Sequence, residues 1–349
     1  MQDSLINPLR GTGLSGQQIY PLADVTNVAH LLSQCPAHAP TPLRDIPDLA
    51  RKIGVARFFV KDERGRMGLG SFKALGASYA IARQAADHVE AGNWTNALTG
   101  QVFIAASAGN HGLSVAAGAR LFGAKAIIYL AETVPDAFAD RLRAIGADVV
   151  RAGAIYEDSM DAAIVAAEEG QGTLLSDSSW PGYTELPSHV MEGYLQLAAE
   201  AENQIDALPT HIILQAGVGG LAAAVAAHAR AVWGDAPTIV VVEPDFAPAL
   251  IESIRAQQLV TANGPVSSMG RLDCKTPSMV ALAGLARDAD LFVTISEQEA
   301  ENAVTILAQY GLTTTPSGGA GIAAALAGLP DMGPDARVMT FLSEGAEDA

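Results

Sequence analysis

Val102-Phe103-Ile104-Ala105-Ala106 is an unbroken apolar run of strand length, followed at once by small residues and then by a helical pattern over 111–122. A strand without polar alternation has to be covered on both faces, which is the condition of a parallel sheet lying under helices. The unit recurs along the chain. Strand-like runs at 57–61, 126–130, 148–150, 172–175, 212–214, 239–242, 291–295 and 338–342 are separated by alanine-rich helical stretches. This alternation predicts an α/β fold of open, mostly parallel, twisted sheets covered by helices, after an irregular opening. No linker, low-complexity segment or internal repeat interrupts it.

The chain has 349 residues, 49% of them hydrophobic, enough to bury a substantial core and to form about two domains. Its 38 acidic and 21 basic residues leave a formal charge of −17, which repels phosphate backbones and anionic lipid. The expected partner is therefore a small molecule, with no nucleic acid and no membrane. Cys35 and Cys274 are the only cysteines, too few for a disulfide framework or a thiolate metal cluster, so a reducing cytoplasm is expected and no metal. The first eight residues lack a basic start followed by an apolar core, and no run of about 20 apolar residues occurs, so the chain reads as soluble and unprocessed.

Four segments carry candidate chemistry. Lys73 sits in Gly70-Ser71-Phe72-Lys73-Ala74-Leu75-Gly76-Ala77, in the first turn of a predicted helix. A lysine there is ordinarily solvated, but the small and apolar neighbours can desolvate its amine, lower its pKa and expose the neutral nucleophile. Ser107-Ala108-Gly109-Asn110-His111-Gly112 closes a strand and opens a helix, where unpaired backbone N–H groups favour a carboxylate or phosphate. The plainer reading of that loop is a helix cap made by Ser107 or Asn110. Gly217-Val218-Gly219-Gly220-Leu221 follows a strand and precedes a helix, and offers N–H groups to a phosphate. Ser343, at the end of the last strand, is either a plain strand-terminal hydroxyl or a hydrogen-bond partner for a ring nitrogen.

In that order, an amine, two anion-binding loops and a terminal hydroxyl read as a pyridoxal 5'-phosphate site. Asp177, in Ser176-Asp177-Ser178-Ser179-Trp180, also follows a strand and is either a turn residue or a catalytic acid. A competing reading takes the 217–221 loop as a dinucleotide fingerprint of spacing G-x-G-x-x-A, with Glu243 as the ribose partner of a nicotinamide oxidoreductase. That reading leaves Lys73 and the Asn110 loop without work. A non-catalytic ligand-binding protein is the remaining alternative.

These segments resemble the fold-type II, tryptophan synthase β-like, pyridoxal phosphate enzymes, and among them most of all the diaminopropionate ammonia-lyases. The resemblance runs from Thr41-Pro42-Leu43 to the C-terminus, through Val60-Lys61-Asp62-Glu63, Asp177-Ser178-Ser179-Trp180-Pro181-Gly182-Tyr183, Gln215-Ala216-Gly217-Val218-Gly219, Val242-Glu243-Pro244-Asp245, Gly270-Arg271-Leu272-Asp273-Cys274 and Ser343-Glu344-Gly345. It implies that Lys73 attaches the cofactor, Phe72 packs beside its ring, Asn110 meets its phenolic oxygen, Gly217, Val218, Gly219, Gly220 and Leu221 hold its phosphate, and Ser343 meets its ring nitrogen. Ser107, Ala108, Gly109 and His111 would hold the substrate, and Asp177 would face it.

The implied activity is α,β-elimination and deamination of a small β-substituted amino acid, 2,3-diaminopropionate-like, to a 2-oxo acid and ammonia. The implied architecture is a homodimer whose subunit has a large cofactor-binding domain, 1–99 and 181–349, and a small domain, 100–180, that closes over the substrate. One position departs from the pattern. The diaminopropionate enzymes carry aspartate where Ala108 stands, whereas serine and threonine dehydratases carry a small residue, so a serine, threonine or 3-hydroxyaspartate dehydratase is the alternative. The missing aspartate also implies an L-configured substrate with Lys73 as the base.

Overall fold

The computed structural model describes residues 3–90 and 92–346, so the reading at Met1 and Gln2 lies outside the described residues. In chain order β1 (Asp3–Ile6) is followed by α1 (Thr26–Leu32), β2 (Leu43–Asp45), α2 (Pro47–Ile53) and β3 (Arg57–Asp62). A 3-10 turn over Glu63–Gly68 joins β3 to α3 (Lys73–Ala86). Strands and helices then alternate as β4 (Val102–Ala106), α4 (Asn110–Leu121), β5 (Lys125–Leu130), α5 (Asp136–Ala144), β6 (Asp148–Arg151), α6 (Tyr156–Glu168) and β7 (Thr173–Leu174). After α7 (Glu185–Gln204) come β8 (His211–Gln215), α8 (Gly220–Trp233), β9 (Thr238–Pro244), α9 (Ala249–Ala256) and α10 (Met279–Asp288). The chain ends with β10 (Leu291–Ile295), α11 (Glu297–Ala308), α12 (Ala320–Ala327) and β11 (Arg337–Leu342).

The strands form two sheets, seven-stranded in the order β1-β10-β9-β8-β11-β3-β2 and four-stranded in the order β6-β5-β4-β7. All pairs are parallel except the two at the edges of the larger sheet, β1 with β10 and β2 with β3. Parallel neighbours need helical crossovers, and these cover the strand faces. Every residue of β8 and of β10 is buried, as their continuous apolar runs require. The two antiparallel edge strands fall in the stretch read as irregular or just after it. They are short and partly exposed, which leaves no apolar run in the sequence.

Helix α3 is the hinge of the packing. Its residues Ala74, Leu75, Ala77, Tyr79, Ala80 and Ile81 are at most 1% exposed, because α4 crosses it on one side and α7 on another. Glycine permits the approach. A Cβ on Gly76 would stand 2.5 Å from the Tyr194 ring, and one on Gly193 would stand 2.6 Å from the Leu75 carbonyl oxygen.

Lys61 is itself fully buried within β3, which its sequence alone does not explain. Its Nζ lies 2.7 Å from Glu200 Oε2 and 2.6 Å from the Thr41 carbonyl. Arg66, also fully buried, donates to both Glu200 oxygens at 2.9 and 2.7 Å and to both Glu63 oxygens at 2.8 and 2.7 Å. Charges taken out of water are tolerated only when paired and hydrogen-bonded in this way. The network ties α7 to the turn that delivers the chain to Lys73. Among the described residues no helix is long and apolar enough to cross a membrane.

Candidate active site

The turns after β3, β4, β7, β8 and β11 all lie at the carboxyl ends of parallel strands, where open α/β sheets place their ligand crevices. They deliver Lys73, the 107–111 loop, Asp177, the 217–221 loop and Ser343. The lysine segment is clamped to the C-terminal one. Phe72 N–H donates to the Ser343 carbonyl at 3.1 Å, Gly345 N–H donates to the Gly70 carbonyl at 3.0 Å, and Ser71 pairs with Glu344 in an isolated bridge. Gly70 reaches this geometry with a φ of +80°, in the left-handed region that favours glycine. Ser71 Oγ then accepts from Lys73 N–H at 3.1 Å, so α3 starts at the lysine as the sequence predicts.

Lys73 Nζ forms an ion pair with Asp177 Oδ2 and lies 5.5 Å from the centroid of the Phe72 ring. Phe72 in turn meets Tyr194 edge-on at 4.9 Å between centroids. Burial works to lower the Lys73 pKa, as the sequence suggests, but the Asp177 carboxylate outweighs it and the pKa lies above the ordinary lysine value. This corrects the expectation of a neutral amine. Burial likewise works to raise Asp177, and the Lys73 charge and hydrogen bond overcome it and hold the carboxyl well below its usual range. The resting pair is therefore ammonium and carboxylate, and Asp177 has no proton of its own to give at neutral pH.

In the 107–111 loop, Ser107 Oγ accepts from Gly109 N–H at 3.2 Å, a turn just ahead of α4, whose first turn receives no side-chain cap, so the capping role anticipated for serine is not met. Asn110 is not spent as a cap. Its amide Nδ2 donates across the site to Glu344 Oε2, whose other oxygen accepts from Thr315 Oγ1. His111 is buried and its pKa is lowered by that burial. Its Nε2 lies 2.8 Å from the Leu175 carbonyl, so that nitrogen carries the proton, and its Nδ1 has no partner. Ala108 is half-buried and contributes no polar side-chain atom.

The 217–221 loop is a cradle that side chains would fill. A Cβ on Gly217 would come within 3.0 Å of Cys274 Sγ and 3.1 Å of the Arg271 carbonyl oxygen. Gly219 has a φ of +97°, and a Cβ there would lie 3.2 Å from Ala281 Cβ. Intrahelical bonding of α8 begins only at Ala223 N–H, which donates to the Gly219 carbonyl at 2.9 Å. The N–H groups of Gly220, Leu221 and Ala222 thus open the helix at its positive end. Val218 is tied back through its carbonyl, which accepts from Ser278 N–H at 3.0 Å. Ser343 is buried, with its N–H donating to the Gly318 carbonyl at 3.2 Å.

Pyridoxal phosphate fits this set of groups. An amine, an anion cradle of bare backbone, an amide donor and a strand-end hydroxyl converge, and the buried Tyr194 hydroxyl, an electrostatic neighbour of Lys73, has no hydrogen-bond partner. Glu243 does not serve as a ribose partner. Both its carboxylate oxygens accept from the start of α9, from Leu250 N–H at 2.7 Å and Ile251 N–H at 2.8 Å. Burial pushes its carboxyl up to about 8. The nicotinamide reading of the Gly217 loop thereby loses its second element.

Five residues near the site were not singled out from the sequence. Tyr156, at the exposed start of α6, lies within electrostatic reach of the Asp177 carboxylate. Tyr194 packs on Gly76 and beside Phe72. Burial raises the Cys274 thiol to about 12. Arg271 and Glu344 face each other with Nε and Oε2 4.0 Å apart. Glu344 and the Arg271-Leu272-Asp273-Cys274 run had a signal, since both sit in segments shared with known enzymes. The two tyrosines had none, because only the folded chain brings α6 and α7 to Lys73.

Comparison with known proteins agrees with this geometry. The family model described as pyridoxal-phosphate dependent enzyme matches residues 35–344. The diaminopropionate ammonia-lyase of Salmonella typhimurium is 31% identical over 297 residues, covering 78% of this chain and 73% of that protein. The human L-serine dehydratase/L-threonine deaminase is 27% identical over 303 residues, covering 84% of each chain. The crystal structure of the Escherichia coli diaminopropionate ammonia-lyase in complex with an aminoacrylate-PLP azomethine reaction intermediate superposes with a TM-score of 0.85 at 28% identity, covering 98% of this chain and 93% of that one.

Proposed function

The chain belongs to the pyridoxal-phosphate dependent enzymes, and from that premise we propose that it is an ammonia-lyase acting on a small β-substituted L-amino acid. The products are ammonia and a 2-oxo acid. The observation that carries the reading is the Lys73–Asp177 ion pair at the start of α3, beside the glycine cradle of the 217–221 loop.

When bound, the cofactor supplies an aldehyde for covalent attachment and an electron-accepting ring that stabilises negative charge at the substrate α-carbon. Lys73 would supply the attaching amine, the N–H groups of 217–221 would hold the phosphate, and Asn110 would meet the phenolic oxygen. Ser343 would meet the ring nitrogen as a neutral hydroxyl, which does not enforce protonation as a carboxylate would. The backbone of the 107–111 loop receives the substrate α-carboxylate at the N-terminus of α4.

Proton bookkeeping follows from the ion pair. Lys73 acts as nucleophile and then as base in its neutral form; when its ammonium charge is lost, the charge that depresses Asp177 goes with it, so burial leaves that carboxyl able to hold the proton. The same proton is then available from Asp177 to the departing β-substituent. The released enamine takes up water and yields the 2-oxo acid and ammonia.

Residues 100–180, which carry the four-stranded sheet, act as the small domain that closes over the substrate, against 1–99 and 181–349. Two unpaired cysteines support a reducing, cytoplasmic setting, and the proposed assembly is a homodimer. Two substrate branches stand. The diaminopropionate ammonia-lyases favour 2,3-diaminopropionate, whereas Ala108, which places no carboxylate on the substrate loop, favours serine, threonine or 3-hydroxyaspartate. Incubating the holoenzyme with this panel and measuring ammonia and 2-oxo acid together tests the reaction class. Release of a 2-oxo acid with one equivalent of ammonia, or with two from 2,3-diaminopropionate, whose leaving group is itself ammonia, is expected from at least one substrate, and none from any would refute it.

A further inference from the structure

Tyr194, on α7, lies between the two segments that would hold the cofactor. A Cβ built on Gly76, one turn beyond Lys73, would stand 2.5 Å from Cε1 and 2.8 Å from Cζ of its ring, and one built on Gly220, at the start of α8, would stand 3.5 Å from Cε2. The hydroxyl, carried on Cζ, therefore sits between the first turns of α3 and α8. Phe72 meets the same ring edge-on at 4.9 Å. Tyr194 is 1% exposed, and its hydroxyl has no hydrogen-bond partner among the described residues. Its charged neighbours, Lys73 and Asp177, are paired with each other. Burial pushes the phenol well above its ordinary value, so the group is a neutral O–H donor.

A phenylalanine would fill the same space without burying a donor that bonds to nothing, so the hydroxyl needs an explanation that packing does not give. We propose that the Tyr194 hydroxyl is a ligand of the cofactor phosphate, closing the cradle of the 217–221 loop from the side of α7. The proposal rests on the pyridoxal phosphate reading above and adds a side-chain donor to a cradle otherwise made of backbone. The N–H groups of Gly220, Leu221 and Ala222 face an anion along the axis of α8. A phosphate has three terminal oxygens, each a strong acceptor, and an O–H beside the helix start gives one of them a charge-assisted bond. The bare positions of the packing serve this placement. Gly76 leaves room for the ring, and Gly193, whose Cβ would stand 2.6 Å from the Leu75 carbonyl oxygen, lets α7 come close enough to deliver it.

The test compares pyridoxal 5'-phosphate with pyridoxal, which form the same bond to an amine and differ only in the phosphate. Equilibrium dialysis of the wild type and of Tyr194→Phe against each ligand gives a readout independent of turnover. Loss of a hydrogen bond to a charged group should weaken retention of pyridoxal phosphate by about 10–100-fold, with pyridoxal held equally by both proteins. Thermal unfolding follows the same bond. Without cofactor, Tyr194→Phe should unfold at or above the wild-type midpoint, because the hydroxyl it lacks is unpartnered. Added pyridoxal phosphate should then raise the midpoint less than in the wild type.

Equal retention of pyridoxal phosphate by the two proteins would overturn the proposal, and lost turnover alongside it would assign the hydroxyl to proton transfer instead. Equal losses on both ligands would also overturn it, by putting the hydroxyl on the ring or on Lys73. So would a cofactor-free variant that unfolds below the wild type, since the hydroxyl would then already have a partner. If the wild type itself retains no pyridoxal phosphate, the cofactor reading fails and the proposal with it, whereas a wild type that retains it and a variant that matches it remove Tyr194 alone.

Discussion

Lys73 and Asp177, 104 residues apart in the chain and set on turns of different sheets, are joined amine to carboxylate. Neither group has its ordinary affinity for protons in this pairing, because each charge stabilises the other in a buried setting. Removing the carboxylate while keeping the shape isolates its part in catalysis. In Asp177→Asn, kcat should fall by about 10²–10⁴-fold while the visible absorption of bound cofactor persists. Steady-state kinetics with parallel absorbance spectra checks this, and wild-type turnover in the variant would remove Asp177 from the mechanism.

Gly219 combines a φ of +97° with a close approach to Ala281. Gly219→Ala should therefore strain the cradle by about 1–2 kcal/mol and loosen the phosphate contacts, weakening cofactor retention by about tenfold. Equilibrium dialysis against pyridoxal phosphate measures it directly. Unchanged retention would show that the cofactor phosphate lies elsewhere.

Glu200 holds two fully buried cations, Lys61 and Arg66. Glu200→Leu leaves both without their shared partner and should cost about 3–5 kcal/mol, read as a lowered midpoint in denaturant. A loss below about 1 kcal/mol would mean that the network is incidental to stability.

The same carboxylate sets an acid limb. Burial tends to raise the Glu200 pKa, but hydrogen bonds and charge from Arg66 and Lys61 pull it to about 2, against an ordinary 4.5. A group depressed on folding binds its proton more readily when unfolded, so its stabilisation is complete above pH 4.5 and disappears as pH falls toward 2. Thermal unfolding between those values should show a steeper loss in the wild type than in Glu200→Gln. Parallel curves would contradict the assignment.

The parallel strands and the start of α3 were legible because they depend on local pattern, an apolar run closed by glycine and serine. The edge strands β1 and β2 were not, since their pairing is imposed by β10 and β3 rather than by their own residues. The lysine was readable as a candidate from its small neighbours, but its protonation state was not. That depends on a carboxylate on another turn, which outweighs the desolvation seen in the local segment. Glu243 was read for its position at a strand end, and only the fold reveals that α9 begins within reach of both its oxygens. Tyr194 belongs to the same class, ordinary in sequence and placed at the site by helix packing.

The central claim is that the Lys73 amine is the point of attachment for pyridoxal phosphate. Borohydride reduction of the holoenzyme, followed by proteolysis and mass spectrometry, locates that bond. The phosphopyridoxyl group should be found on the peptide containing Lys73 and should be absent in Lys73→Ala. A reduced adduct on Lys61, Lys275 or another lysine, or none at all, would contradict the account.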